Sequence, residues 1–261
     1  IVKCIKTPDD VELIAREFLA GQAKQNIIYS EVTYSAFTQS SNSGMNFRDQ
    51  FAALQRANDW AVRELGVSMG IVVDLVRDIP PDWGVMTAEA FIKHRTPLMV
   101  AFGLGGSEVG HPPEKHAEAF KKILEVGDIP IVPHAGEVDG ASSIWSAINV
   151  CKAVRIGHGV RCIEDHALVE YLREHQIPLE VSPTSNVCLG VVDSIADHPI
   201  QQLIDEGLYV TINSDDPPMF NTTLTNEFNV CSEAFGWDTD MLETLTLNAI
   251  NASFLADDVK A

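Results

Sequence analysis

Three short polar clusters hold the side chains of this chain that are best suited to chemistry. They read His-Ala-Gly-Glu at 134–137, Gly-His-Gly at 157–159 and Asn-Ser-Asp-Asp-Pro at 213–217, and each follows an apolar run. Imidazole and carboxylate groups bind divalent metals and also move protons. Because such groups at the carboxyl ends of parallel strands form the active sites of α/β barrels, we predict one active site here.

Each cluster taken alone has an ordinary explanation. A histidine often bonds a backbone carbonyl or lies in a core, and paired acids are common at helix N termini. Three such groups at three separate strand ends favour a site for metal-assisted hydrolysis instead. Zinc is the metal we expect, because no cysteine accompanies these histidines and aspartates.

The spacing within the clusters suggests separate roles for their residues. His134 can bind a metal through its neutral imidazole, and Glu137 just beyond it can exchange a proton with a substrate. Asp215 and Asp216 point to opposite sides if the chain is extended there, so that one could bind metal while the other faces substrate. The glycines on either side of His158 leave its imidazole accessible, so that it could orient an attacking hydroxide.

Seven apolar runs that alternate with helical patterns must position these clusters, and such alternation predicts βα units and a parallel sheet. The predicted strands are Ile27–Tyr34, Val67–Val76, Pro97–Leu104, Ile129–His134, Ala153–His158, Ile177–Ser182 and Leu208–Asn213. The predicted helices run from a Thr7 cap to Phe18, over Arg48–Leu65 with a Gly66 cap, from Pro112 to near Gly127, and over Ser143–Cys151, Glu164–His175, Pro199–Glu206 and Met241–Ile250. The segment Ser182–Asn186 is predicted as a turn beside the site.

The length of 261 residues is close to the roughly 250 typical of one α/β barrel. We therefore expect an α/β fold of the TIM (β/α)8 type, as a single domain over 1–261. Seven strands are one short of eight, and the chain opens at Ile1 without an initiator methionine. We expect the first strand to be missing from this chain, which makes the domain N-terminally incomplete. A seven-stranded or open doubly wound sheet is the alternative.

The composition limits the kinds of molecule that this protein is expected to bind. A formal net charge of −19 argues against nucleic acid and anionic membranes as partners, and it is compatible with a small neutral or cationic ligand. No apolar run is long enough to suggest a membrane span. The five cysteines form no CxxC pair, which predicts reduced thiols in the cytoplasm. The sequence does not fix an oligomeric state.

The clusters resemble, in their order along the chain, the motifs of the adenosine deaminase family of zinc-dependent aminopurine hydrolases. The resemblance rests on HAGE at 134–137, GHG at 157–159, SPTSN at 182–186, SDDP at 214–217 and GLGGSE at 103–108, and it runs from about Asn26 to Phe254. It implies attack at C6 of a 6-aminopurine, a tetrahedral intermediate and loss of ammonia.

The resemblance also implies a role for each matching residue. His134 and Asp215 are similar to the zinc ligands of the fifth and eighth strands, and Glu137 to the group that protonates ring N1. His158 resembles the residue that orients the hydroxide, and Asp216 the hydrogen-bond partner of ring N7 and of the attacking water. Gly106 would offer its backbone N–H to ring N3.

This chain departs from the family in one respect. The family supplies two more zinc ligands from a His-x-His motif on the first strand, and no His-x-His occurs among the eight histidines of this sequence. Catalytic zinc normally takes three or more protein ligands, so His134 and Asp215 alone would bind it weakly. We expect this chain as it stands to be apo or inactive, and its full-length parent to be an enzyme.

The predicted reaction is deamination of adenosine to inosine, because the Pro-Thr-Ser-Asn loop is similar to that of the nucleoside-acting members. Adenine and modified adenosines are the alternative substrates. A catalytically inactive purine-binding relative is an alternative of another class. A third alternative is another metal hydrolase such as a phosphotriesterase, although no lysine follows the fourth strand to bridge two metals.

Overall fold

The computed structural model describes residues 2–260, so that only Ile1 and Ala261 of the predicted domain lie outside the described residues. The chain divides into two compact units, each with its own parallel strands. The first contains the residues up to Ser107 together with Glu114–Pro130, and the second contains Glu108–Pro113 and the residues from Ile131 onward. None of the helices within residues 2–260 has the length and apolar character needed to cross a membrane.

In the first unit, strand β2 pairs in parallel with β1 on one side and β3 on the other. Seven consecutive residues within β2 are buried, as expected of a parallel strand covered on both faces. The elements of this unit are α1 (Pro8–Ala23), β1 (Tyr29–Tyr34), α2 (Ala36–Ser43), α3 (Phe47–Leu65), β2 (Ser68–Val76), α4 (Pro81–His94), β3 (Met99–Gly105) and α5 (Ala117–Val126), with a 3₁₀ turn at Val2–Cys4.

In the second unit, four short strands pair in parallel in chain order. They are β4 (Ile131–Ala135), β5 (Ile156–His158), β6 (Leu179–Val181) and β7 (Val210–Ile212). The helices are α6 (Ala141–Ser146), α7 (His166–His175), α8 (Pro183–Cys188), α9 (Ile200–Asp205), α10 (Pro217–Phe220), α11 (Leu224–Phe235), α12 (Thr239–Ala252) and α13 (Asp257–Lys260). A π-helical turn at Ala147–Cys151 and 3₁₀ turns at Val160–Glu164 and Ile195–Asp197 complete the elements of this unit. A further 3₁₀ turn at Pro113–His116 has all but its first residue in the first unit.

The predicted α/β class is confirmed, and each predicted strand overlaps an observed one. The predicted cap at Thr7 is also present, because its side chain accepts a hydrogen bond from the Asp10 N–H and forms a capping box. Gly66 ends α3 in the left-handed conformation, as the sequence predicts.

Two segments differ from their prediction. The segment predicted as a helix over Ser143–Cys151 starts at Ala141 and changes to a π turn at Ala147. The predicted turn at Ser182–Asn186 is instead the start of α8, because Pro183 occupies the first helical position, where its missing N–H costs nothing.

Candidate active site

Strand register places the first two polar clusters side by side. His134 on β4 pairs with Gly157 on β5, and Ala135 pairs with His158. A side chain at position 157 would put its Cβ 3.2 Å from His134 Cγ, so Gly157 provides the space for the imidazole. The rings of His134 and His158 therefore lie with their centroids 5.4 Å apart.

Two residues of the predicted site have left-handed backbone conformations. The φ angles are +63° at His158 and +52° at Asp215, where residues other than glycine are strained. The expectation of an extended chain at Asp215 and Asp216 is therefore wrong at the first of them. Such strain, about 1–3 kcal/mol per residue, is typical of positions whose side chain must point in one direction for function.

Glu137, His158 and Asp215 form a tight group. One potential ligand atom from each lies within 4.8 Å of the other two. His158 Nε2 is 3.5 Å from Glu137 Oε1 and 3.9 Å from Asp215 Oδ2. The structure thus brings together one predicted metal ligand and two predicted catalytic residues. The metal roles assigned to His134 and Asp215 stay a prediction.

Burial controls the charge of this group. It raises the pKa of Glu137 to about 7, and the negative charge of Asp215 adds to the rise. Burial also lowers the pKa of His158 to about 3, with a further contribution from His134, so this imidazole is neutral near pH 7. A glutamate with a pKa near 7 can deliver a proton to a substrate at neutral pH.

Asp216 lies at the N-cap position of α10, where its carbonyl oxygen accepts hydrogen bonds from the N–H groups of Met219 and Phe220. Loss of hydration and the adjacent Asp215 raise the pKa of the Asp216 carboxyl. The residue is exposed, so solvent screens this effect. Its predicted contact with ring N7 stays a prediction.

Glu108 makes hydrogen bonds beside the site that the sequence does not predict. It is the last residue of the GLGGSE motif at 103–108. It is buried, and it accepts hydrogen bonds from the backbone N–H groups of the loop after β4, at 2.5 to 3.1 Å. The Ser143 hydroxyl donates a fifth bond at 2.6 Å. The donors of the loop are the N–H groups of Gly136, Glu137, Val138 and Asp139.

The hydrogen bonds of Glu108 also control its charge. Burial alone would raise its pKa, but the donors from Asp139, Ser143, Val138 and Gly136 outweigh burial and hold the pKa below its ordinary value. Glycine is favoured at position 136 because φ is +67° there and a Cβ would lie 2.6 Å from Ile144 Cγ1. No signal in the sequence identifies a loop almost thirty residues ahead as the partner of this acid.

Helix α8 supports the site from the side. Ser185 donates a hydrogen bond from Oγ to Asp215 Oδ2 at 2.6 Å, and Asn186 Nδ2 lies 3.4 Å from His158 Nδ1. The buried Glu227 carboxylate accepts a bond from the Thr184 N–H at 2.9 Å. The SPTSN segment therefore lies beside the site, as predicted, and orients two of its residues.

Gly106 belongs to the first unit, immediately after β3, and is described only within it. Its φ is +88°, and a side chain there would put its Cβ 2.9 Å from Asp78 Oδ1. The proposed contact of its N–H with ring N3 stays a prediction.

A cavity of about 980 Å³ reaches Glu137 within the second unit. It is bounded by polar and apolar side chains, among them Arg161, Val191, His198, Gln201 and Phe235. Its volume lies at the upper end of the range of about 300–1,000 Å³ common for small-molecule sites.

The chain matches a known protein family along its whole length. The family model described as "Adenosine deaminase" matches residues 1–261. The chain is 37% identical over 261 residues to an aminodeoxyfutalosine deaminase of Streptomyces avermitilis, covering 98% of this chain and 71% of that protein. It is 35% identical over 257 residues to an adenine deaminase of Vibrio parahaemolyticus, covering 98% of this chain and 75% of that protein.

The crystal structure of an adenine deaminase from Arthrobacter aurescens superimposes with a TM-score of 0.94 at 30% identity. The match covers 99% of this chain and 78% of that one. The predicted fold class is thereby confirmed over almost the whole chain.

Proposed function

Because the chain belongs to the adenosine deaminase family, we propose that it hydrolyses the 6-amino group of an adenine-containing compound and releases ammonia. The observation that carries this proposal is the Glu137 carboxyl, which lies 3.5 Å from His158 Nε2 and has its pKa raised to about 7. A buried acid that keeps its proton near neutral pH can protonate a ring nitrogen of low basicity.

The donor set fits a divalent metal. Asp215 contributes a carboxylate oxygen beside His158, and the imidazole of His134 lies next to that of His158, with ring centroids 5.4 Å apart. Nitrogen and oxygen donors of this kind suit zinc. We assign His134 and Asp215 as residues that would hold it. When bound, zinc supplies the Lewis acidity that makes a water molecule nucleophilic near neutral pH.

The other steps of the proposed reaction are assigned to Glu137, His158 and Asp216. Glu137 donates its proton to ring N1, which draws electrons from C6 and exposes that carbon to attack. The neutral His158 imidazole positions the attacking water, and Asp216 accepts a hydrogen bond from that water and contacts ring N7. Water adds at C6, the C6–N bond breaks, and the amino group leaves as ammonia while C6 becomes a carbonyl carbon.

Adenosine and adenine are the two candidate substrates. The sequence predicts adenosine from the Pro-Thr-Ser-Asn loop, but Ser185 and Asn186 of that loop are buried and face Asp215 and His158. These side chains therefore give no ground for preferring a nucleoside. The relatives described as adenine deaminases favour adenine as the second candidate.

A substrate panel tests the proposal. The full-length, zinc-loaded protein would be given adenine, adenosine, an N6-modified adenosine and cytidine at matched concentrations, with ammonia and the oxo product measured together. We expect equimolar ammonia and oxo product from at least one 6-aminopurine and none from cytidine. Binding of 6-aminopurines without ammonia release would favour the inactive purine-binding relative instead.

We also propose the cytoplasm as the location, because all five cysteines are free and three of them are buried. The partner we propose is the small purine alone. The net charge of −19 repels nucleic-acid backbones and anionic membranes.

A further inference from the structure

A line of hydrogen bonds runs from the backbone to the nitrogen of His158 that faces away from Glu137. The Ile200 N–H donates to His198 Nδ1 at 3.1 Å. His198 Nε2 then lies 3.0 Å from Asn186 Oδ1, and Asn186 Nδ2 lies 3.4 Å from His158 Nδ1. The three side chains are all buried, with His198, Asn186 and His158 exposing 3%, 0% and 4% of their surface.

The direction of every bond in this line follows from its first donor. A backbone N–H can only donate, so His198 Nδ1 must accept and the ring proton must be on Nε2. That N–H donates to Asn186 Oδ1, which turns the amide NH₂ toward His158. The NH₂ group can only donate, so His158 Nδ1 accepts and carries no proton.

The charge of His198 agrees with this assignment. Burial lowers its pKa to about 4, so the ring has a single proton near pH 7. A positively charged His198 would have a proton on Nδ1, where the Ile200 N–H already points.

We propose that Asn186 and His198 are positioning residues that hold His158 in the tautomer with its proton on Nε2. This tautomer presents an N–H, rather than a lone pair, toward Glu137 Oε1 and Asp215 Oδ2. The catalytic value of that N–H rests on the proposed function, in which His158 positions the attacking water. The tautomer itself follows from the hydrogen bonds alone.

Asn186→Asp is the sharpest variant, because the carboxylate has the shape of the amide but no donor. His198 and His158 must then both donate to this carboxylate, so the proton of His158 moves to Nδ1. His198→Ala removes the donor that orients the amide, and His198→Gln supplies an amide N–H in its place. His175→Ala is the control, because His175 is exposed and its Nδ1 contacts only the Tyr171 carbonyl oxygen in the described hydrogen bonds.

Long-range ¹H–¹⁵N correlation spectra of the full-length, zinc-loaded protein with ¹⁵N-histidine report the tautomers directly. We expect His158 and His198 both to have their proton on Nε2 in the wild type, and Asn186→Asp to shift the His158 proton to Nδ1. A wild-type His158 with its proton on Nδ1 would overturn the proposal. The proposal would also be overturned if the Asn186→Asp protein had wild-type thermal stability and its His158 and His198 still had their protons on Nε2.

Steady-state kinetics provide the second readout. We expect His198→Ala to lower kcat about 10- to 100-fold with little change in KM, as is common when the support of a site residue is removed. His198→Gln should recover part of the loss, and His175→Ala should match the wild type. A wild-type kcat in folded His198→Ala would contradict the proposal.

The two proposals can fail separately. The spectra can be recorded without any turnover. If the protein shows the predicted tautomers but deaminates no 6-aminopurine, this inference is supported and the proposed function is wrong. An active deaminase whose His158 has its proton on Nδ1 would remove this inference alone.

Discussion

Glu108 and Glu137 are two glutamates of the second unit with opposite surroundings. Glu108 is 6% exposed and accepts five hydrogen bonds, four of them from the loop that carries Glu137. The side chain of Glu137 is 18% exposed, and its Oε1 accepts no bond from the described residues. The pKa of the first is held below its ordinary value, while that of the second is raised to about 7.

The difference shows how one side-chain type can serve two purposes. Donors aimed at a buried carboxylate keep it ionised and turn it into a structural support. A buried carboxyl with one oxygen left unbonded holds its proton and can give it up to a substrate. The hydrogen bonds of Glu108 therefore hold the backbone of the loop that carries Glu137, the residue proposed above as the proton donor.

The largest effect on stability is expected from Glu108→Ala. The loop N–H groups would lose their acceptor in a buried place, which we expect to lower the free energy of unfolding by about 2–5 kcal/mol. Urea unfolding of the wild type and of Glu108→Ala measures this difference in the free energy of unfolding. Glu118→Ala is the control, because that side chain is 63% exposed. A Glu108→Ala protein as stable as this control would contradict the structural role.

Glu227→Gln should have the next largest effect. The buried Glu227 carboxylate accepts bonds from the Thr184 N–H and the Thr222 hydroxyl, and an amide presents an NH₂ to one of these donors. We expect a loss of about 1–3 kcal/mol in the free energy of unfolding, measured by urea unfolding. Glu233→Gln on the exposed face of the same helix is the matched control. Equal stability of the two variants would show that α8 is not held through Glu227.

Ser143→Ala tests one bond of the Glu108 group. It removes the hydroxyl donor at 2.6 Å and leaves the backbone donors in place, so the loss should be about 1–2 kcal/mol. The adjacent exposed Ser142→Ala serves as the control in the same unfolding experiment. A loss as large as that of Glu108→Ala would mean that the serine, rather than the loop N–H groups, is the main partner.

The smallest effect concerns pH. The pKa of Glu108 is lowered from its ordinary 4.5, so its ionised form stabilises the fold above that value. This contribution is lost as the pH falls through the folded-state pKa. As the pH falls below 4.5, the wild type should therefore lose stability more steeply than Glu108→Gln, which has no such carboxyl. Parallel curves from chemical unfolding at each pH would contradict the assignment.

The sequence was sufficient to predict the α/β class and the strands that carry the three clusters. Each motif is formed by residues that are neighbours in the sequence. A polar group after an apolar run therefore indicates a strand end without information from the rest of the chain. The same local reasoning singled out His134, Glu137, His158 and Asp215 as candidates, and it placed the SPTSN segment beside the site.

The remaining features of the site depend on contacts between distant parts of the chain. The bonds of Glu108 reach up to 35 residues ahead, and Asn186 lies 28 residues from its partner His158. The left-handed φ of Asp215 lies in the connection between β7 and α10, and although Asp adopts this conformation more readily than most residues, its identity alone does not predict it. Such features need the folded structure, because periodicity reports only the neighbours along one element.

The central claim is that Glu137 is the proton donor of a 6-aminopurine deaminase, and Glu137→Gln tests it most directly. The measurement is kcat/KM for ammonia release by the full-length, zinc-loaded protein from its best 6-aminopurine substrate. We expect a decrease of about 10²- to 10⁴-fold, with stability no lower than that of the wild type, because a buried carboxyl is replaced by a neutral amide of the same shape. A value within about threefold of the wild type would contradict the account.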